Sequence, residues 1–143
     1  MQDYILPYGG FVYCRLYGFE HSGITTRNNK IIELERDGVV KCSTCNDFLR
    51  GTGSSQILIA ASGNRIILDP FVAAIAEDFV LQDRGYNLLF QNCHNFVSTM
   101  ITQDIGCKKS YFFELNRLIA ETYHCRSLEW RSIYTSPFVF REN

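Results

Sequence analysis

Four short β-forming stretches, separated by tight-turn residues, occupy the first forty positions and commit this part of the chain to an antiparallel meander. Residues 11–17, Phe11-Val12-Tyr13-Cys14-Arg15-Leu16-Tyr17, follow Gly9-Gly10 and are rich in β-formers, which predicts a strand. Residues 21–26 predict a second strand and residues 30–35 its partner. Arg27-Asn28-Asn29 lies between them, and asparagine tolerates the left-handed conformations that hairpin loops need. Asp37-Gly38 marks a further tight turn, with Val39-Val40 beginning a fourth short strand.

The rest of the chain alternates between strand and helix signals. Gly51-Thr52-Gly53-Ser54-Ser55 reads as a flexible loop, and residues 56–60 and 65–68 read as strands. Asp69-Pro70 reads as an N-cap followed by a proline in the first helical turn. Apolar residues at 71, 72, 75, 76, 79 and 80 predict a helix to Leu81, ended by Asp83-Arg84-Gly85. From Asn92 the spacing turns helical again, through Phe96, Val97, Met100 and Ile101, with Gly106 as its stop. Ser110 is the expected cap of another helix, with Phe112, Leu115, Ile119 and Tyr123 on one face. The aromatic-rich tail from Leu128 predicts a strand at residues 134–140. There is no repeat, low-complexity segment or interdomain linker, so residues 1–143 read as a single domain. The expected class is α+β, a small antiparallel sheet packed on two or three helices.

Composition narrows the function. A net charge of −1 gives no case for nucleic acid, and the dispersed Arg126, Arg131 and Arg141 add none. No apolar run is long enough for a transmembrane segment. The first residues lack the basic region and long apolar stretch of a signal peptide. The expectation is a cytoplasmic protein, a leader or larger precursor trimmed away being the alternative. The six cysteines, Cys14, Cys42, Cys45, Cys93, Cys107 and Cys125, are expected to be mostly reduced, since a chain with this much apolar residue needs no staples. Cys42 and Cys45 have the spacing of half a zinc site, which His124-Cys125 or Cys107 would complete, but the adjacent His124-Cys125 pair has poor geometry for two ligands. No metal or cofactor is expected.

The chemistry concentrates at Cys93. It sits where the strand-like Asn87-Leu88-Leu89-Phe90-Gln91 gives way to a helix, and the free N–H groups and dipole of a helix start favour thiolate. Upstream, His21 in Phe19-Glu20-His21-Ser22-Gly23-Ile24 stands on a predicted strand and can serve as base. If Ile24, Ile32 and Leu34 pack on one side of the hairpin, His21 and Glu33 share the other. Direct pairing of residues 21 and 33 then requires a loop of odd length. Glu33 beside His21 would fix the ring tautomer and raise its basicity, and Gly23 would leave room for substrate or thiol. His94, turned about 100° from Cys93 on the helix, reads as a surface or supporting group. Taken singly, Cys93 is a buried core thiol, His21 a satisfied strand histidine and Glu33 part of a solvated charged face.

Together these motifs resemble the H-box and NC-box of the lecithin:retinol acyltransferase-like family, circularly permuted relatives of NlpC-like papain-fold enzymes. The H-box likeness runs through Gly10-Phe11-Val12, Phe19-Glu20-His21-Ser22-Gly23-Ile24-Thr25 and Ile32-Glu33-Leu34. The NC-box likeness runs through Tyr86-Asn87-Leu88 and Asn92-Cys93-His94-Asn95-Phe96-Val97. Departures are Ser22 where the family has Trp, Glu33 where lipid-acting members have a second His, and His94-Asn95 where the family has Glu-His. The resemblance implies a Cys–His acyl hydrolase or acyltransferase working through an acyl-thioester, with lipid acyl esters as the substrate class. A cysteine peptidase or amidase is the alternative within the same mechanism. In it Cys93 is the nucleophile, His21 the base and then the acid, and Glu33 the orienting group. H-box/NC-box segments also occur in some picornavirus polyproteins, linked to replication and host factors. A non-enzymatic interaction protein with a protein partner, placed in the host-cell cytoplasm if viral, is therefore the rival reading.

Overall fold

A computed structural model describes residues 5–133. The chain runs β1 (Phe11–Leu16), β2 (Phe19–Thr26), β3 (Lys30–Leu34), β4 (Val40–Thr44), α1 (Cys45–Leu49), β5 (Leu58–Ser62), β6 (Arg65–Ile66), α2 (Pro70–Glu77), α3 (Cys93–Thr102), α4 (Phe112–Thr122) and β7 (Leu128–Ser132). The class is α+β, as the sequence predicts. Among the described residues the antiparallel sheet is larger than expected, with seven strands, and four helices accompany it. Its order is β4-β3-β2-β1-β5-β6, with β7 on β5. β7 pairs along the whole of β5, which places β1 and β6 end to end on the other edge of β5. The strand expected at residues 134–140 lies outside the described residues.

The β2–β3 hairpin sets the register of the site. Thr26 pairs with Lys30, so the loop is the odd-length Arg27-Asn28-Asn29, and both asparagines adopt positive φ, 60° and 56°. Ile24 pairs with Ile32, and one step further Gly23 stands opposite Glu33. His21 and Glu33 thus share a face but are diagonal neighbours, not the direct pair the sequence suggested, because the loop is centred one residue later than that pairing needs. Such a diagonal is still within reach of long side chains.

Parity divides the core in two. Ile24, Ile32 and Leu34 face one way and pack with Phe11, Phe96, Val97 and Met100. Ile31 faces the other way and joins Val12, Cys14, Phe48 and Ile59. Gly23 belongs to this second face: a Cβ there would lie 2.6 Å from Ile31 Cγ2 and 3.1 Å from Phe48 Cε1. The space expected for substrate or thiol is filled by those two side chains.

The helix ends differ from expectation in instructive ways. Asp69 caps α2, its carboxylate accepting from the Phe71 and Val72 amides at 3.1 and 3.2 Å. The helix stops at Glu77, and turns carry the apolar stripe on to Leu81, which itself has positive φ. Helix α3 stops at Thr102 with Gln103 left-handed, three residues before Gly106. The cap of α4 is Tyr111, not Ser110. The Glu114 carboxylate accepts from the Ser110 and Tyr111 amides, while the Ser110 hydroxyl donates to the Leu89 carbonyl at 2.6 Å. Residues 65–68 form a strand only at Arg65–Ile66, and Leu68 makes an isolated bridge to Gly10.

Candidate active site

Asn92 builds the site from the helix start. Its extended backbone and side chain cap α3, with Oδ1 accepting from the Asn95 amide at 3.0 Å. Its Nδ2 donates to the Leu88 and Ser110 carbonyls, both at 2.9 Å. Asn95 donates from Nδ2 to the Cys107 and Lys109 carbonyls at 2.9 and 3.0 Å. Two asparagines therefore tie the loops on either side to the first turn of α3. With the cap spent on Asn95, the amides of Cys93 and His94 have no acceptor among the described residues, as the first amides of a helix should.

The first turn of α3 abuts the start of β2. Cys93 Sγ lies 4.0 Å from the Glu20 carbonyl oxygen. Adjacent residues on a strand point to opposite faces, and here both reach the helix: His21 acts on Cys93, and Ser22 Oγ lies 2.8 Å from His94 Nδ1. The His21 ring stacks on Phe48, with centroids 4.8 Å apart, on the face away from Phe96. Its Nε2 donates to Glu33 Oε1 at 2.6 Å, which leaves Nδ1 as the nitrogen available to the thiol. Glu33 is buried, and its second oxygen, Oε2, has no partner among the described residues.

The electrostatics single out this thiol. Burial would push Cys93 up, but hydrogen bonding to His21, the largest opposing cause, holds it well below the ordinary thiol value. Burial would push His21 down, but its contacts with Cys93 and Glu33 raise it to about 10. The two shifts describe one event, a proton moved from sulfur to imidazole, and belong to the pair. Cys14 and Cys45, buried without such a partner, go the other way: burial pushes Cys14 up to about 12 and Cys45 to about 11.

Cys93, His21 and Glu33 line a cleft of about 920 Å³. Its mouth combines exposed apolar side chains with charged ones, Arg36 and Arg50 among them. Tyr17 and Phe19 from the β1–β2 turn are 76% and 65% exposed, and Leu88 across the opening is 63% exposed. Leu88 and Leu89 project from a turn closed by reciprocal backbone hydrogen bonds between Asn87 and Gln91, both at 2.9 Å.

The structure brings Cys93, His21 and Glu33 together. Of the two readings of His94 it removes the surface one: the ring is buried at 7% exposure with Nδ1 3.8 Å from Cys93 Sγ. The turn of about 100° carries the ring to another side of the helix, but there it meets Ser22 of β2 and is buried. Asn95 and Ser22 were also missed as site residues. The sequence signal was their place beside the motif histidine and cysteine. Cys42 is exposed and Cys45 buried, and no group of three His, Cys, Asp or Glu side chains among the described residues could hold a metal. No helix among them is long and apolar enough to cross a membrane. Comparison with protein-family models, with curated proteins and with solved structures found no match to this chain.

Proposed function

We propose that this protein is a thiol acyl hydrolase or acyltransferase of permuted papain-like, NlpC-like architecture that works through an acyl-thioester on Cys93. The carrying observation is His21 bonded to a buried carboxylate in the cleft that Cys93 lines, with the thiol lowered and the imidazole raised by one another. That is the resting state a thiol nucleophile needs. The exposed apolar side chains at the mouth of the cleft support lipid acyl esters as substrate, since an acyl chain entering it would cover Tyr17, Phe19 and Leu88.

In this reading the Cys93 sulfur attacks the ester carbonyl carbon. The carbonyl π electrons move to oxygen, next to the free amides of the first turn of α3. The tetrahedral intermediate collapses, its C–O bond breaks, and the proton held by His21 passes to the leaving alcohol. His21 then takes a proton from the acceptor, which attacks the thioester and expels Cys93 as thiolate. Water as acceptor gives a free acid, and an alcohol or amine gives transfer. Glu33 keeps the ring oriented and compensates its charge throughout.

Incubation with phosphatidylcholine vesicles, followed by mass spectrometry of intact protein and lipid, tests this. The expected result is an acyl adduct on Cys93 and released fatty acid or transferred acyl chain, both absent in Cys93→Ser. An unmodified Cys93 and unchanged lipid contradict lipid esters as substrate. If p-nitrophenyl acetate also leaves Cys93 unacylated, the acyl-enzyme reading fails and the interaction-protein reading stands.

A further inference from the structure

Two imidazoles flank the Cys93 thiol, and the reaction above uses one. The other, His94, is held by Ser22 from the neighbouring strand, Oγ to Nδ1 2.8 Å. Those two residues lie 72 positions apart and are both departures from the H-box/NC-box text. In the structure they form a single feature.

The direction of this hydrogen bond follows from counting donors. Ser22 is 1% exposed, and its hydroxyl has no partner other than His94 among the described residues. If Nδ1–H donated to Ser22, the hydroxyl hydrogen would be buried with no acceptor, a loss of about 1–3 kcal/mol. If Ser22 donates to Nδ1, the buried hydroxyl is satisfied and the neutral ring carries its proton on Nε2. That arrangement also removes Nδ1 as a donor to the sulfur, from which it stands 3.8 Å away, and leaves His21 to hold the thiolate. His94 Nε2 is absent from the buried polar atoms lacking a partner, has no protein partner among the described residues, and its ring lines the cleft. With Nδ1 taken by Ser22, Nε2–H is the ring donor left for a group bound in the cleft that Cys93 also lines.

We propose that His94 is a catalytic residue that donates from Nε2 to the oxyanion formed on attack by Cys93, with Ser22 as the positioning residue that fixes its tautomer. The proposal rests on the acyl-enzyme reading and adds a side-chain donor to the backbone amides of α3. A donor aimed at charge that appears only in the transition state accelerates acylation and does nothing for a reaction that makes no oxyanion.

Iodoacetamide and p-nitrophenyl acetate separate the two cases, because both consume the Cys93 thiolate and only the ester forms a tetrahedral oxyanion. Rates on Cys93 are read by mass spectrometry at the high-pH plateau of each variant, where thiolate formation is complete. For His94→Ala the expected result is acylation slowed about 10²-fold or more, with plateau alkylation within about threefold of wild type. His94→Gln, which keeps an N–H donor, recovers part of the loss. Ser22→Ala slows acylation and leaves plateau alkylation unchanged. If His94→Ala does not melt cooperatively, His94→Gln and Ser22→Ala carry the comparison. Equal losses in both reactions, or acylation indifferent to His94 and Ser22, overturn the proposal and leave the acyl-enzyme reading intact. A wild-type Cys93 that is alkylated but never acylated overturns both.

Discussion

The first turn of α3 and the turns after it are hidden from solvent to the same degree, and they hide different things. Every residue from Cys93 through Ile101 is buried. In the first turn the buried groups are polar, and each has a partner: Cys93 with the Glu20 carbonyl, His94 with Ser22, Asn95 with the Cys107 and Lys109 carbonyls. Further along, Phe96, Val97 and Met100 fill the main core, while the Ser98 and Thr99 hydroxyls have no partner among the described residues. Burying a polar group without a partner is costly, and pairing it makes its place specific. The difference shows where sequence choice is constrained by chemistry and where by volume alone.

Breaking the paired end has the largest expected effect. His21→Ala removes the base and the imidazolium that holds the thiolate, and acylation of Cys93 by p-nitrophenyl acetate at neutral pH falls by about 10²–10⁴-fold. The same substitution leaves the apolar turns of α3 untouched, so circular dichroism should report an unchanged helix content.

Glu33→Gln comes next. With the carboxylate gone, one of the two contacts that overcome burial at His21 weakens. The upper edge of the window in which a protonated ring faces the thiolate moves down by about one unit or more, read by NMR titration of the ring. The sign in the wild type follows from the same shifts. Stability contributed by the raised His21 is fully present below its unfolded value of 6.5 and is lost as pH rises through about 10. The lowered Cys93 contributes in the opposite sense, fully above the ordinary thiol value and decreasing as pH falls. The pair is therefore level in stability between about pH 7 and 8.5, and declines above that toward pH 10. Denaturant midpoints across this range check it, and a steady rise toward pH 10 would contradict it.

Asn92→Ala strikes the cap. It removes one bond to the Asn95 amide and two that fasten Leu88 and Ser110. Urea unfolding should show a loss of about 1–3 kcal/mol. At the unpaired end, Ser98→Ala removes a hydroxyl that bonds to nothing described, and stability should change by less than about 0.5 kcal/mol or rise slightly. A large loss at Ser98 would erase the contrast between the two ends.

The sequence displays the parts of this site that depend on local rules. Asp69 and Asn92 announce their caps, Asn28-Asn29 the hairpin, and the odd loop length puts His21 and Glu33 on one face. What it does not display depends on where segments meet. The two-residue offset between His21 and Glu33 turns on which residue centres the loop. Gln103 ends α3 in a left-handed conformation that a non-glycine residue rarely takes, so nothing in the composition marks it ahead of Gly106. The Ser22–His94 contact is invisible because it joins opposite sides of a strand and a helix distant in sequence.

The central claim, a thiolate on Cys93 held by a protonated His21, is tested most directly by the pH dependence of iodoacetamide alkylation followed cysteine by cysteine, in the wild type and in His21→Ala. Cys14 and Cys45, raised by burial, are the internal controls. The account predicts that Cys93 reacts far faster than these at pH 6 and loses that advantage without His21. A Cys93 that titrates like an ordinary thiol in the wild type, or reacts equally well in His21→Ala, would contradict it.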